Sequence, residues 1–261
     1  MVANFQPHGF GSVDRRLVRY GIPVALVFVA GLGWWWSVHM AGEMGTRGVI
    51  GMMMPTSLAM SAGVFLLAWL AMMAAMMLPA MTPVVRLYAR ASAQRRVAPL
   101  AFFVAGYLVV WSILGIPAFF GWRALEMPLA SGAAWAERAA GAAIVTAGIW
   151  QLTPLKQLCL RHCRSPMSFF LRYGGRIERP RGAVRMGASH GLFCVGCCWA
   201  MFAMLVAVGT MNIAWMLGLT VLIALEKTSR RGEQAALFAG AALVVLGAVV
   251  LISPAVINAM T

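Results

Sequence analysis

The feature that most constrains this chain is a recurrence of apolar blocks, each about the length of a membrane-crossing helix and each bounded by arginine. They lie at roughly 20–38, 58–78, 98–120, 133–153, 187–207, 210–226 and 234–256. A helix of about 20 residues rising 1.5 Å per residue crosses about 30 Å of hydrocarbon. Backbone groups find no water there, so each block must satisfy its own N–H and C=O groups as a helix. A transmembrane β-barrel would need alternating segments of about ten residues, and none is present. The expected fold class is all-α, a polytopic transmembrane helical bundle of about seven spans. Only 11% of residues are charged, against about 25% in a soluble domain. Residues 1–19 read as a tail and residues 20–261 as a single helical domain.

The net charge of +14 would suggest a nucleic-acid partner in a soluble protein. Here the basic residues sit between apolar blocks, and no groove-reading motif accompanies them, so no nucleic acid is expected. Arg15, Arg16 and Arg19 precede the first block, and Arg86, Arg90, Arg95 and Arg96 follow the second. Lys156, Arg161, Arg164, Arg172, Arg176, Arg179, Arg181 and Arg185 follow the fourth, and Lys227, Arg230 and Arg231 follow the sixth. With seven spans all of these face one side, leaving Arg47, Arg123 and Arg138 on the other. The positive-inside rule then places the N-terminus in the cytoplasm and the C-terminus in the periplasm. The run from Gly21 to Ser37 is long for a signal peptide and lacks a small-x-small site, which predicts an uncleaved first helix. The connection from Leu155 to Met186 reads as a solvated basic loop meeting anionic head groups, with room for an interfacial helix at Met167–Tyr173. The apolar stretch from Gly51 to Met60 reads as re-entrant or interfacial.

Chemistry concentrates in the fifth block. His190, Cys194, Cys197, Cys198 and Met201 fall within an arc of about 100° on a helical wheel. Thiol and imidazole groups are costly in hydrocarbon unless compensated. A lone membrane cysteine is usually a small apolar filler; three within five residues, one turn after a histidine, point to a metal or to redox chemistry. Thiolate, imidazole and thioether suit Cu(I) and Zn(II), and thioether favours copper. The second block adds Met72 and Met76, one turn apart, as weak ligands, beside Met73 and Met77. Methionine also fills gaps in packing. After the fourth block, Cys159 and Cys163 stand at i, i+4, neighbours on a short helix. In the seven-span arrangement all five cysteines lie in the cytoplasmic half. Glu226 reads as a proton or metal partner or as the pair of Lys227, with the pair favoured. A second methionine group, from Met40 to Met60 with His39 and Glu43, lies toward the opposite side.

These residues carry a resemblance. The chain resembles bacterial inner-membrane proteins grouped as predicted metal-binding integral membrane proteins, over about residues 60–230. The likeness rests on Trp69, Met72, Met73, Ala75, Met76, Met77 and Pro79; on Tyr107 and Trp111; and on Leu152-Thr153-Pro154-Leu155-Lys156 with Cys159, Leu160, Cys163, Arg164 and Pro166. It continues through Gly191, Cys194, Gly196, Cys197, Cys198 and Trp199, and from Gly209 and Met211 to Glu226-Lys227. The resemblance implies metal binding, with copper handling favoured.

Three functions are compatible with this reading. The first is binding and trafficking, or transport, of a soft metal at the inner membrane, with a metallochaperone or metalloenzyme as partner. The metal ligands would be His190, Cys194, Cys197, Cys198, Met72, Met76, Cys159 and Cys163, holding Cu(I) or zinc. The second is a thiol–disulfide oxidoreductase using Cys194 and Cys197. The third is a structural or metallation subunit with a closed zinc site. Paired carboxylates, a Ser/His/Asp set and H-E-x-x-H are absent, so an enzyme is not expected.

Overall fold

The computed structural model describes residues 21–47, 58–93, 100–165, 178–208 and 212–253. Among the described residues there are eight helices and no strand: α1 (Ile22–Arg47), α2 (Leu58–Ala93), α3 (Leu100–Ala130), α4 (Ala134–Leu152), α5 (Pro154–Arg164), α6 (Pro180–Val208), α7 (Ile213–Thr228) and α8 (Gly232–Ile252). Each apolar block falls on one helix, and α5 is an addition between blocks. Four stretches are long and apolar enough to cross a membrane: Ala62–Ala89, Leu100–Leu129, Pro180–Val208 and Gly232–Ile252. Val24–His39 is a shorter apolar helix. The N-terminal tail, the stretch at Met167–Tyr173 and Met52, Met53 and Met54 lie outside the described residues.

Glycines set the helix pairs. A Cβ on Gly106 would strike the Val184 backbone, and one on Gly187 the Phe103 carbonyl. The α3–α6 crossing is therefore backbone against backbone, with both helices running the same way. Helices α4 and α8 run antiparallel. Gly148 faces Gly240 and Val244, and Gly141 faces Val250. Apolar side chains gain little from leaving lipid for a neighbouring helix, so small residues that allow close approach drive such pairing.

Proline inside a helix removes one backbone donor. In α2, Pro83 cannot bond the Pro79 carbonyl, and Thr82 Oγ1 donates to that oxygen at 2.7 Å instead. Indole groups tie helices together in the same way. Trp69 Nε1 donates to the Trp111 carbonyl at 3.0 Å, and Trp150 Nε1 to the Gly196 carbonyl at 3.1 Å.

The break between α4 and α5 is encoded locally. Pro154 occupies the first turn of α5, where its missing N–H costs nothing. Thr153 caps α5 by accepting from Lys156 N and closes α4 by donating to the Trp150 carbonyl at 2.7 Å. The chain bends there, and α5 lies back along α6. His162 stacks on Phe193 with ring centroids 4.4 Å apart. Cys159 sits against Gly196, where a Cβ would come 2.9 Å from its Sγ.

Candidate metal centre

Helix α6 places His190, Cys194, Cys197, Cys198 and Met201 on its inward face, all buried. Cys194 Sγ is the hub. It lies 3.0 Å from Lys227 Nζ, 3.3 Å from the Tyr107 hydroxyl and 3.9 Å from Met77 Sδ. Lys227 Nζ also approaches Met77 Sδ at 3.7 Å. Cys197 donates to the Cys194 carbonyl at 3.1 Å, and its Sγ is 3.3 Å from Cys198 Sγ. Cys163, buried on α5, is an electrostatic neighbour of Cys197. His190 lies beside the hub, 6.1 Å from the Tyr107 ring and 6.2 Å from Phe103.

Helix periodicity thus puts three thiols and an imidazole on one face of α6, and the packing of α5, α2 and α7 brings the Cys163 thiol, the Met77 thioether and the Lys227 ammonium into the same buried region. Among the described residues, no three His, Cys, Asp or Glu side chains form a ready-made cage for an ion. The thiols bond to one another, to Lys227 and to Tyr107. Met72 and Met76 are buried in α2, but the thioether in contact with Cys194 is that of Met77. All five cysteines are free thiols.

The expected pairing of Glu226 with Lys227 is overturned. Glu226 Oε2 accepts from Lys156 Nζ at 2.7 Å and Oε1 from Gln151 Nε2 at 2.8 Å. Adjacent residues on a helix point about 100° apart, so Glu226 faces the α4–α5 break while Lys227 faces the thiols. Gln151 Nε2 also reaches Met201 Sδ at 3.5 Å. Lys156 and Lys227, which read in the sequence as loop charges, are instead buried. One signal could have found them. They are the only lysines in the chain, every other strong base being arginine.

Beyond the thiols an aromatic layer fills the bundle. Trp69 and Trp111 both pack edge-on against Phe202, with centroids 6.0 and 5.0 Å away. Phe65 packs against Phe119 at 5.4 Å and Trp122 at 5.3 Å.

Fold and site together define a helical membrane protein with a buried cluster of soft donors. A family model described as copper chaperone, PpoB2, matches residues 66–250, and the chain belongs to that family. The match spans α2 to α8 and takes in every cysteine. No curated protein and no solved structure matches the chain. The function is copper-related, as the resemblance implied.

Proposed function

We propose that the protein binds Cu(I) as cargo at the α6 thiols and exchanges it with a partner on one side of the bacterial inner membrane. The observation that carries this reading is the Cys194 hub, where thiol, thioether and ammonium groups meet in a region closed to water. Soft donors of this kind select Cu(I). Cys194, Cys197 and Cys198 are the central ligands, with His190 and Met77 beside them and Met72 and Met76 in reserve on α2. Cys163 and Cys159 on α5 are the exchange thiols, since one neighbours Cys197 and the other is part-exposed. A buried ammonium requires a counter-charge, and a Cys194 thiolate supplies it to Lys227. Cu(I) held by Cys194 and a second thiolate leaves the site net negative, so Lys227 stays as its counter-charge.

Seven spans with a cytoplasmic N-terminus and periplasmic C-terminus fit the helix directions, parallel for α3 with α6 and antiparallel for α4 with α8. The α5 side is then cytoplasmic, and residues 20–261 act as one domain. The aromatic layer on the far side favours one-sided exchange over passage through the bundle. The role is non-enzymatic. Purified protein loaded under reducing, copper-replete conditions should retain copper, and protein that retains none would sink the proposal. A periplasmic-only reporter fused after Thr261 should be active; an inactive fusion would reverse the topology.

A further inference from the structure

Where α7 turns into α8, four guanidinium groups surround a single cavity of about 450 Å³. Arg161 and Arg164 come from α5, Arg230 and Arg231 from the turn, and Glu233 and Gln234 from the start of α8. Arg161 and Arg164 are three residues apart and share a face of α5. Arg164 is fixed by donating to the Ser229 carbonyl at 2.5 Å. The one acid in the wall, Glu233, lies 3.3 Å from Arg161 Nε. Gly232 makes the tight turn, since a Cβ there would strike the Glu226 backbone. Helix α8 points its N-terminus into this region, adding partial positive charge from its first N–H groups. Four cations against one carboxylate repel one another unless an anion sits among them. Guanidinium forks around a helix N-terminus are the donor arrangement that suits phosphate.

We propose that this cavity binds a phosphate group, either the headgroup phosphate of an anionic lipid or free phosphate. Its position favours a phosphate over an acidic protein face. The cavity is concave, and it lies where α7 and α8 end, the level at which headgroups meet the bundle. No cysteine lines it, so the site is separate from the thiol cluster.

The test uses the full chain in phosphatidylcholine nanodiscs with and without phosphatidylglycerol, and with inorganic phosphate as the second probe. Arg230→Gln/Arg231→Gln removes two exposed members of the wall. Arg181→Gln/Arg185→Gln removes the same charge from exposed positions at the start of α6, outside the cavity. Wild type should retain phosphatidylglycerol in native mass spectrometry, or be stabilised by phosphate. The Arg230/Arg231 variant should bind about ten-fold more weakly or worse, as expected for lost charge-assisted hydrogen bonds, while the Arg181/Arg185 variant binds as wild type. Lipid retention assigns the headgroup, and stabilisation by phosphate alone assigns the free ion; both support the site. Equal losses in the two variants, or none in either, would overturn it. So would binding of polyglutamate with neither phosphate probe bound. If the double variant melts early, Arg230→Gln alone is read by the same criteria.

Discussion

Lys227 Nζ lies 3.0 Å from Cys194 Sγ in the interior of the bundle, while the carboxylate of its sequence neighbour, Glu226, is held by Lys156 and Gln151. The end of α7 therefore joins two buried networks, one of sulfur and one of carboxylate. The first is the copper site in our reading, and the second fixes the helix that covers it.

The carboxylate network should dominate local stability. Removing one partner of a buried ion pair leaves an uncompensated charge and costs about 3–5 kcal/mol, whereas replacing both with apolar groups is often close to neutral. Lys156→Met and Glu226→Met should each lower thermal unfolding strongly in detergent, and the double variant should recover most of the loss. Additive losses would mean that the pair is not coupled.

Lys227 should support copper loading as a counter-charge without contributing a ligand. Lys227→Met removes that ammonium from beside the thiolates. Competition against a Cu(I) chelator should show copper held more weakly than in wild type, with unchanged stoichiometry. Copper held as tightly as in wild type would remove the counter-charge role.

The glycines separate into two classes that a melting series can test. Gly187→Ala drives a Cβ into the Phe103 carbonyl and should destabilise by about 2 kcal/mol or more, in the range of overpacking effects. Gly218→Ala meets nothing within 4 Å in mid-helix. It should be neutral or stabilising by about 0.5–1 kcal/mol. Equal melting temperatures for the two variants would remove the close α3–α6 crossing.

Thiol labelling should follow burial. Cys159 is partly exposed and the other four cysteines are buried. Native protein should take up one maleimide, at Cys159, and denatured protein five. Burial raises the Cys159 pKa, so its labelling should be slow at neutral pH and quicken as the pH rises, because the thiolate is the reactive form. Rapid native labelling at Cys194, read by peptide mass spectrometry, would contradict the closed site.

The helices and the α6 face were legible in the sequence because both follow from periodicity. A block of about 20 apolar residues becomes a helix in lipid, and residues three and four apart share its face. The wheel therefore gathered His190, Cys194, Cys197 and Cys198 correctly on one side. What crosses between helices was not legible. Whether Met76 or Met77 reaches the thiols depends on the rotation of α2, which tertiary packing sets. The partners of Glu226 and Lys227 depend on how α7 is turned against the α4–α5 break. Loop-end basic residues ordinarily signal orientation, and that rule hid the burial of Lys156 and Lys227. Their being the chain's only lysines was the signal to weigh against it.

Whether the α6 thiols hold copper is decided by the Cu(I) content of purified wild type beside Cys194→Ala/Cys197→Ala/Cys198→Ala, both loaded under reducing conditions and compared at equal helicity. Copper should be bound in wild type and lost from the triple variant. Unchanged copper stoichiometry in a folded triple variant would contradict copper binding at these thiols.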